Sequence, residues 1–206
     1  MLEVKCFELG SFGTNTYIVS DDEGHVLLVD PACCSQYEQQ QLYRYIEDMR
    51  SKISGFQLQI VATHGHLDHL WGAPWACEQW HMPVLMHEAD MAMAKAMQEQ
   101  YNWFGIRAEA KPFPIKKLEA GELGMKGLDV IETPGHTPGS VCLYWPEEKK
   151  LLSGDTLFCM GYGRTDLPGG DIGLLFRSLN RLFALPSDVQ VYPGHGEDTT
   201  IGAEKR

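Results

Sequence analysis

The stretch ATHGHLDHLWG, Ala62 to Gly72, places His64, His66, Asp68 and His69 within six residues. Imidazole and carboxylate groups are ligands for zinc, iron or manganese, and a site made of them needs no thiolate. The preceding LQIVATH is a short, nearly continuous apolar run, the pattern of a buried strand. Side chains alternate along extended backbone, so His64 and His66 are expected to point the same way where that strand ends. Gly65 between them leaves the backbone free to turn. Asp68 and His69 then belong to the turn or to the first residues of a helix. One strand-to-helix corner thus offers two neighbouring half-sites, His64 with His66 and Asp68 with His69. A divalent ion takes about four ligands or more, so the remainder must come from elsewhere in the chain.

Three later motifs supply them. TPGHTPGS puts His136 in a Gly/Pro loop after GLDVIE, LLSGDTLF puts Asp155 after an apolar run, and VYPGHG puts His195 after VQVY. Each ligand follows a β-like run and sits beside glycine. Strand ends on one rim of a sheet sandwich can converge although they are far apart in sequence. A single PGH is ordinarily a loop that happens to hold a histidine. All four motifs together, in this order, argue for metal binding. His25, His81 and His87 lie in ordinary turn or edge contexts and receive no role.

The elements that must position these groups can be read from periodicity. TNTYIVSD and HVLLVDPA are β-rich runs separated by DEG, a hairpin pattern. Over residues 36–52 the pattern becomes helical, with Leu42, Ile46, Met49 and Ile53 on one face. Pro74 suits the first turn of a helix running to about Trp80. PVLMH reads as another strand, and EADMAMAKAMQEQYNWF as one helix. Lys111 to Cys159 looks mostly β, punctuated by Gly and Pro. Asp171 to Leu185 is an amphipathic helix with Asp171 as N-cap and Pro186 as stop. Two β-rich blocks, each followed by helices, predict two packed sheets with helices outside.

Composition narrows the function classes. The 206 residues are 44% hydrophobic and 22% charged, enough for one domain with a sizeable core. The net charge of -11 and the lack of a basic stripe argue against a nucleic-acid partner. No apolar run is long enough to span a bilayer. The N-terminus shows no basic segment followed by an apolar one, so the cytoplasm is the expected compartment. The six cysteines form no C-x-x-C and avoid the histidine cluster, which predicts reduced, mostly buried thiols.

THGHLDH, TPGHTPGS, SGDTLF and YPGHG, in that order, resemble the metallo-β-lactamase superfamily over nearly the whole chain. The resemblance implies an α+β fold, the four-layer αββα sandwich, in a single domain over residues 1–206. It implies that His64, His66 and His136 hold one metal, that Asp68, His69 and His195 hold a second, and that Asp155 bridges them. LLVDPA is similar to the superfamily's strand ending in an aspartate, here Asp30, a supporting residue near the metals. Thr137, with Thr63 and Thr156, is a further candidate to orient the imidazoles. Two divalent ions are implied, zinc foremost, with iron or manganese compatible.

True metallo-β-lactamases often place another ligand, such as cysteine, at the position of Asp155 or His136. The all-His/Asp set resembles instead the glyoxalase II group, the hydroxyacylglutathione hydrolases. GRTDLPGGD in particular resembles small bacterial glyoxalase II-like proteins. The chain ends soon after His195, so the C-terminal helical extension of full-length glyoxalase II is expected to be absent. That family grips glutathione with a basic residue and a tyrosine after the G-x-G turn. Here Arg164 fills the basic role, followed by Thr165 and Asp166, and Tyr162 is a pocket candidate. Arg164 either holds a glutathione carboxylate or pairs with Asp166 or Asp171 and orders the loop. The implied reaction is hydrolysis of a thioester such as S-D-lactoylglutathione by a hydroxide shared between the metals, which Asp68 also orients. Persulfide dioxygenases of the same fold use one iron held by two histidines and an aspartate, and His64, His136 and Asp155 are compatible with that chemistry. A lactonase or phosphodiesterase of the same fold is a further alternative.

Overall fold

The structure, a computed structural model, describes residues 1–119 and 121–205. The first sheet contains β1 (Glu3–Leu9), β2 (Thr14–Ser20), β3 (His25–Val29), β4 (Gln57–Val61), β5 (Val84–Met86) and β6 (Ile115–Lys117), paired in that order. β1 to β3 run antiparallel; β3 to β6 run parallel. Parallel neighbours need crossovers. α1 (Gln36–Lys52) joins β3 to β4, and α2 (Leu67–Leu70) and α3 (Ala73–Trp80) join β4 to β5. A 3₁₀ turn (Glu88–Asp90), α4 (Met91–Lys95) and α5 (Met97–Trp103) precede β6.

The second sheet contains β7 (Asp129–Glu132), β8 (Val141–Trp145), β9 (Lys150–Gly154), β12 (Gln190–Pro193) and β13 (Thr199–Thr200). Its spatial order is β13-β12-β9-β8-β7. A small hairpin, β10 (Leu157–Phe158) with β11 (Gly161–Tyr162), follows β9. α6 (Ile172–Phe183) precedes β12, and α7 (Ile201–Glu204) follows β13.

The sequence of β3 shows why there are four layers. Val26 and Leu28 pack with Leu42 and Ile46 of α1 and with Ala76 and Trp80 of α3. Leu27 and Val29 point the other way, against Leu143, Trp145 and Leu152 of the second sheet. A strand covered on both faces is apolar at both parities, and each such side chain contributes about 1.5–3 kcal/mol on burial. β8 repeats the logic: Leu143 and Trp145 face the first sheet, while Cys142 and Tyr144 lie under Leu175, Leu179 and Leu182 of α6. The result is the αββα sandwich. Among the described residues no helix is long and apolar enough to cross a membrane.

Three expectations are revised. The predicted helix over 88–104 is broken at Ala96, whose φ and ψ are -86 and 30. The cause is tertiary: Asp90 bonds the amide of Gly65 and Gln100 bonds its carbonyl. Along one unbroken helix those two residues would be about 15 Å apart, and a bend between them lets both side chains close on one glycine. The strand before the histidine cluster ends at Val61 rather than at His64, because the amide of Thr63 is taken by the Asp30 carboxylate instead of a neighbouring strand. All six cysteines are free thiols, but Cys6 and Cys159 are exposed and Cys34 is half-buried.

Candidate metal centre

The ends of β4, β7, β9 and β12 bring the sequence motifs to one rim. His66 is the N-cap of α2, with φ and ψ of -75 and 150, and Asp68 and His69 lie within that helix. His136 lies in the turn after β7, Asp155 directly follows β9, and His195 follows β12. Their ligand atoms fall into three groups, each within 4.8 Å: His64, His66 and His136; Asp68, His69 and His195; and His64, His69 and Asp155. The third group joins the other two. Asp155 Oδ1 is 3.2 Å from His69 Nε2, and Asp155 Oδ2 is 3.5 Å from His136 Nε2 and 3.6 Å from His195 Nε2. Asp68 Oδ2 lies 3.1 Å from His195 Nε2.

Hydrogen bonds outside this cluster set how the rings face. Asp30 Oδ2 accepts from Thr63 Oγ1 at 2.7 Å and from His69 Nδ1 at 2.9 Å. Thr63 Oγ1, its proton given to Asp30, accepts from His64 Nδ1 at 3.0 Å. His136 Nδ1 donates to the Arg164 carbonyl at 2.7 Å, and His195 Nδ1 donates to the Gly13 carbonyl at 3.2 Å. This pattern assigns an Nδ1 proton in four rings and turns each Nε2 toward the centre. His66 differs: its Nδ1 lies 2.8 Å from His136 Nε2.

The chemistry of these atoms fits a cation. Among the described residues, the buried side-chain atoms without a hydrogen-bond partner include His64 Nε2, His66 Nε2, His69 Nε2 and Asp155 Oδ1. Buried polar atoms are normally satisfied, so four orphans converging on one centre fit a metal-binding site. Protonation agrees. Burial, reinforced by neighbouring imidazoles, pushes His64 below its ordinary value and His66 down to about 3, so both rings keep lone pairs at neutral pH. Burial opposes charge on Asp68 and Asp155, yet His69 and His195 outweigh it and hold both below the usual carboxylate range. Burial likewise opposes charge on His69 and His195, but Asp155, Asp68 and Asp30 outweigh it at His69, and Asp68 and Asp155 outweigh it at His195, so both are raised and a bound cation would have to displace their protons.

The backbone approaches the ligands closely. A Cβ at Gly163 would lie 1.9 Å from the Asp155 carbonyl oxygen, so only glycine fits there. Asn15 holds the loop of His195: its amide bonds the Gly194 carbonyl at 2.7 Å, and its side chain bonds the Pro193 and Gly196 carbonyls at 3.0 and 2.9 Å. Asp90, Gln100 and Asn15 escape sequence reasoning. Each is one polar residue among several in its element, so polarity alone does not single it out. Thr137 reaches no ligating ring; its hydroxyl donates to Asp90 Oδ2 at 2.6 Å. Thr156 bonds Thr133 at 2.8 Å, likewise away from the rings.

A cavity of about 410 Å³ opens over the cluster, lined by His66, Asp68, His136, Asp155 and His195 with Phe12, Phe104, Phe158, Tyr162, Arg164 and Leu167. Tyr162 and Arg164 therefore both lie on its wall. The Arg164 guanidinium is bidentate to Asp166, with both contacts at 2.6 Å. In the 101–104 segment, Phe104 lines the cavity, whereas Tyr101 packs on Trp71 at 5.3 Å between ring centroids.

The sequence profile of the Metallo-beta-lactamase superfamily matches residues 9–195, and the chain belongs to that superfamily of metallo-hydrolases. The hydroxyacylglutathione hydrolase GloC of Haemophilus influenzae is 32% identical over 213 residues, covering 100% of this chain and 96% of GloC. Among solved structures, TTHA1623 in a di-iron-bound form is 34% identical with a TM-score of 0.83, covering 98% of each chain. The BLEG-1 B3 metallo-beta-lactamase is 32% identical with a TM-score of 0.82, covering 99% of this chain and 96% of its own.

Proposed function

We infer that this chain is a two-metal hydrolase of a thioester such as S-D-lactoylglutathione. The observation that supports this most is the ligand set itself: five imidazoles and two carboxylates converge with no thiolate among them, and His66, His136, His195, Asp68 and Asp155 of that set line one open cavity. The likeness to GloC adds the substrate class. His64, His66 and His136 would hold one ion and Asp68, His69 and His195 the other, with Asp155 between them. Zinc is foremost; the di-iron form of TTHA1623 makes iron a second candidate. When bound, such ions polarise a carbonyl and lower the pKa of water from 15.7 to near 7.

The chain's own groups do the rest. Asp68, held ionised beside His69 and His195, can accept a hydrogen bond from the attacking water and fix its direction. Phe12, Phe104, Phe158 and Leu167 wall the cavity and limit bulk water near the acyl group. A departing thiolate is stable enough to need no strong protein acid. Arg164 is placed to meet a glutathione carboxylate by exchanging its exposed partner Asp166, since exposed ion pairs are weak.

Metal content and thioester hydrolysis, measured before and after dialysis against a chelator, test this reading. Two ions per chain are expected, with activity lost on chelation and restored by adding the metal. Asp155→Ala should lose binuclear binding and hydrolysis together; full activity in that variant would rule out the bridge. β-Lactam cleavage is a second reading, supported by the likeness to BLEG-1. A β-lactam hydrolysed faster than any thioester would favour it. Oxygen uptake with glutathione persulfide by a one-iron protein would point to an oxidoreductase instead.

A further inference from the structure

Asp90 lies outside the ligand set, yet it is fully buried, at 0% exposure. Its Oδ2 accepts from the Gly65 amide at 2.8 Å and from Thr137 Oγ1 at 2.6 Å, and its Oδ1 accepts from the Gly139 amide at 2.6 Å. Gly65 stands between His64 and His66, and Thr137 is next to His136. One carboxylate therefore ties together the two loops that supply the three-histidine group, loops about seventy residues apart, as the 70-residue separation of His66 and His136 records. The packing leaves no slack, since a Cβ at Gly139 would lie 2.7 Å from Asp90 Oδ1. None of these three bonds reaches Asp68, His69 or His195. The bonds to His69 and to Thr63 belong to Asp30.

We propose that Asp90 is a positioning residue for the three-histidine half of the centre: it sets the spacing of His64 and His66 against His136 and so governs metal affinity there, and not at the Asp68–His69–His195 half. This rests on the two-ion reading above. An amide at this position cannot do the same. If its NH₂ faces Gly139, two donors oppose each other; if it faces Gly65, that amide loses its acceptor. Either rotation separates the two loops.

The test measures Co²⁺ affinity by equilibrium dialysis in two backgrounds. His195→Ala preserves the three-histidine group, and His66→Ala preserves the other. Adding Asp90→Asn should weaken Co²⁺ binding about 10–100-fold in the first background, the usual scale for groups that orient ligands. In the second it should change binding no more than about twofold, the range for uncoupled sites. Equal weakening in both backgrounds would mean a general folding role and would overturn the proposal, as would no weakening in the first. Wild-type protein that binds one Co²⁺ would defeat the two-ion reading, while Asp90→Asn against His195→Ala would still decide the role of Asp90. Should Asp90→Asn not fold, Thr137→Val removes one donor of the three. A smaller loss confined to the His195→Ala background is then expected, and a loss shared by both backgrounds refutes the clamp.

Discussion

Asp155 can sit between the two ligand groups only because residue 194 has no side chain. A Cβ on Gly194 would lie 2.1 Å from Asp155 Oδ1 and 2.8 Å from His69 Cε1. The backbone of Gly194 is not in the left-handed region, so alanine is conformationally permitted and its effect is steric, on the carboxylate. Gly194→Ala should therefore fold but retain less metal after dialysis and hydrolyse thioester at least about tenfold more slowly, the lower end for disturbing a ligand's support. Wild-type metal content and rate in that variant would show that Asp155 has room to move. At this scale, the residues that converge were the legible ones. HGHLDH is dense, and His136, Asp155 and His195 each follow a strand beside glycine, so their types and spacing are unusual. Asp30 is legible as the polar end of an apolar strand. Asp90 and Gln100 are not, because an acid or amide among the other polar residues of a helical stretch has the same sequence appearance whether it faces solvent or a buried loop.

At the scale of the element, burial on both faces of a strand leaves a plain signature. In β3, Leu28 is fully buried against α1 while Leu27 is fully buried against the second sheet. Leu28→Ala should lower unfolding free energy by about 2–5 kcal/mol, the range for a deleted core leucine, when measured by urea denaturation. A loss under about 1 kcal/mol would mean that the interface between sheet and α1 collapses around the gap. The apolar run of β3 and the helical period of α6 were readable in advance, while β8 fell within a stretch legible only as mostly β. The region between Glu88 and Phe104 was not, since its Met and Ala residues favour one continuous helix by propensity. The break at Ala96 comes from contacts that no local pattern encodes: Gln100 spends its amide on the Gly65 and Met93 carbonyls and its oxygen on the Leu67 amide.

Across the whole molecule, two of the apolar layers enclose thiols that resist ionisation, and this ties stability to alkaline pH. Cys33 and Cys77 lie in the layer between the first sheet and its helices, and Cys142 lies in the layer beneath α6. Burial is the leading cause that raises all three thiols, Cys33 to about 12 and Cys77 and Cys142 to about 11, from an ordinary value of 9.0. Unfolding exposes these thiols to water, where they release protons near that ordinary value. Between pH 9.0 and about 11 to 12, then, the unfolded chain binds fewer protons than the folded one. Stability must fall as pH rises through that window and be unaffected by these groups below it. The chain should accordingly lose unfolding free energy from about pH 9 upward, at up to about 1.4 kcal/mol per pH unit for each fully deprotonated thiol in the unfolded state. Cys33→Ala removes one such group, so its stability should decline less steeply over the same range, whatever the variant's stability at neutral pH. Parallel pH profiles for wild type and Cys33→Ala under reducing conditions would mean that water reaches this thiol in the folded protein, and that the helix-side layer is looser than its packing indicates.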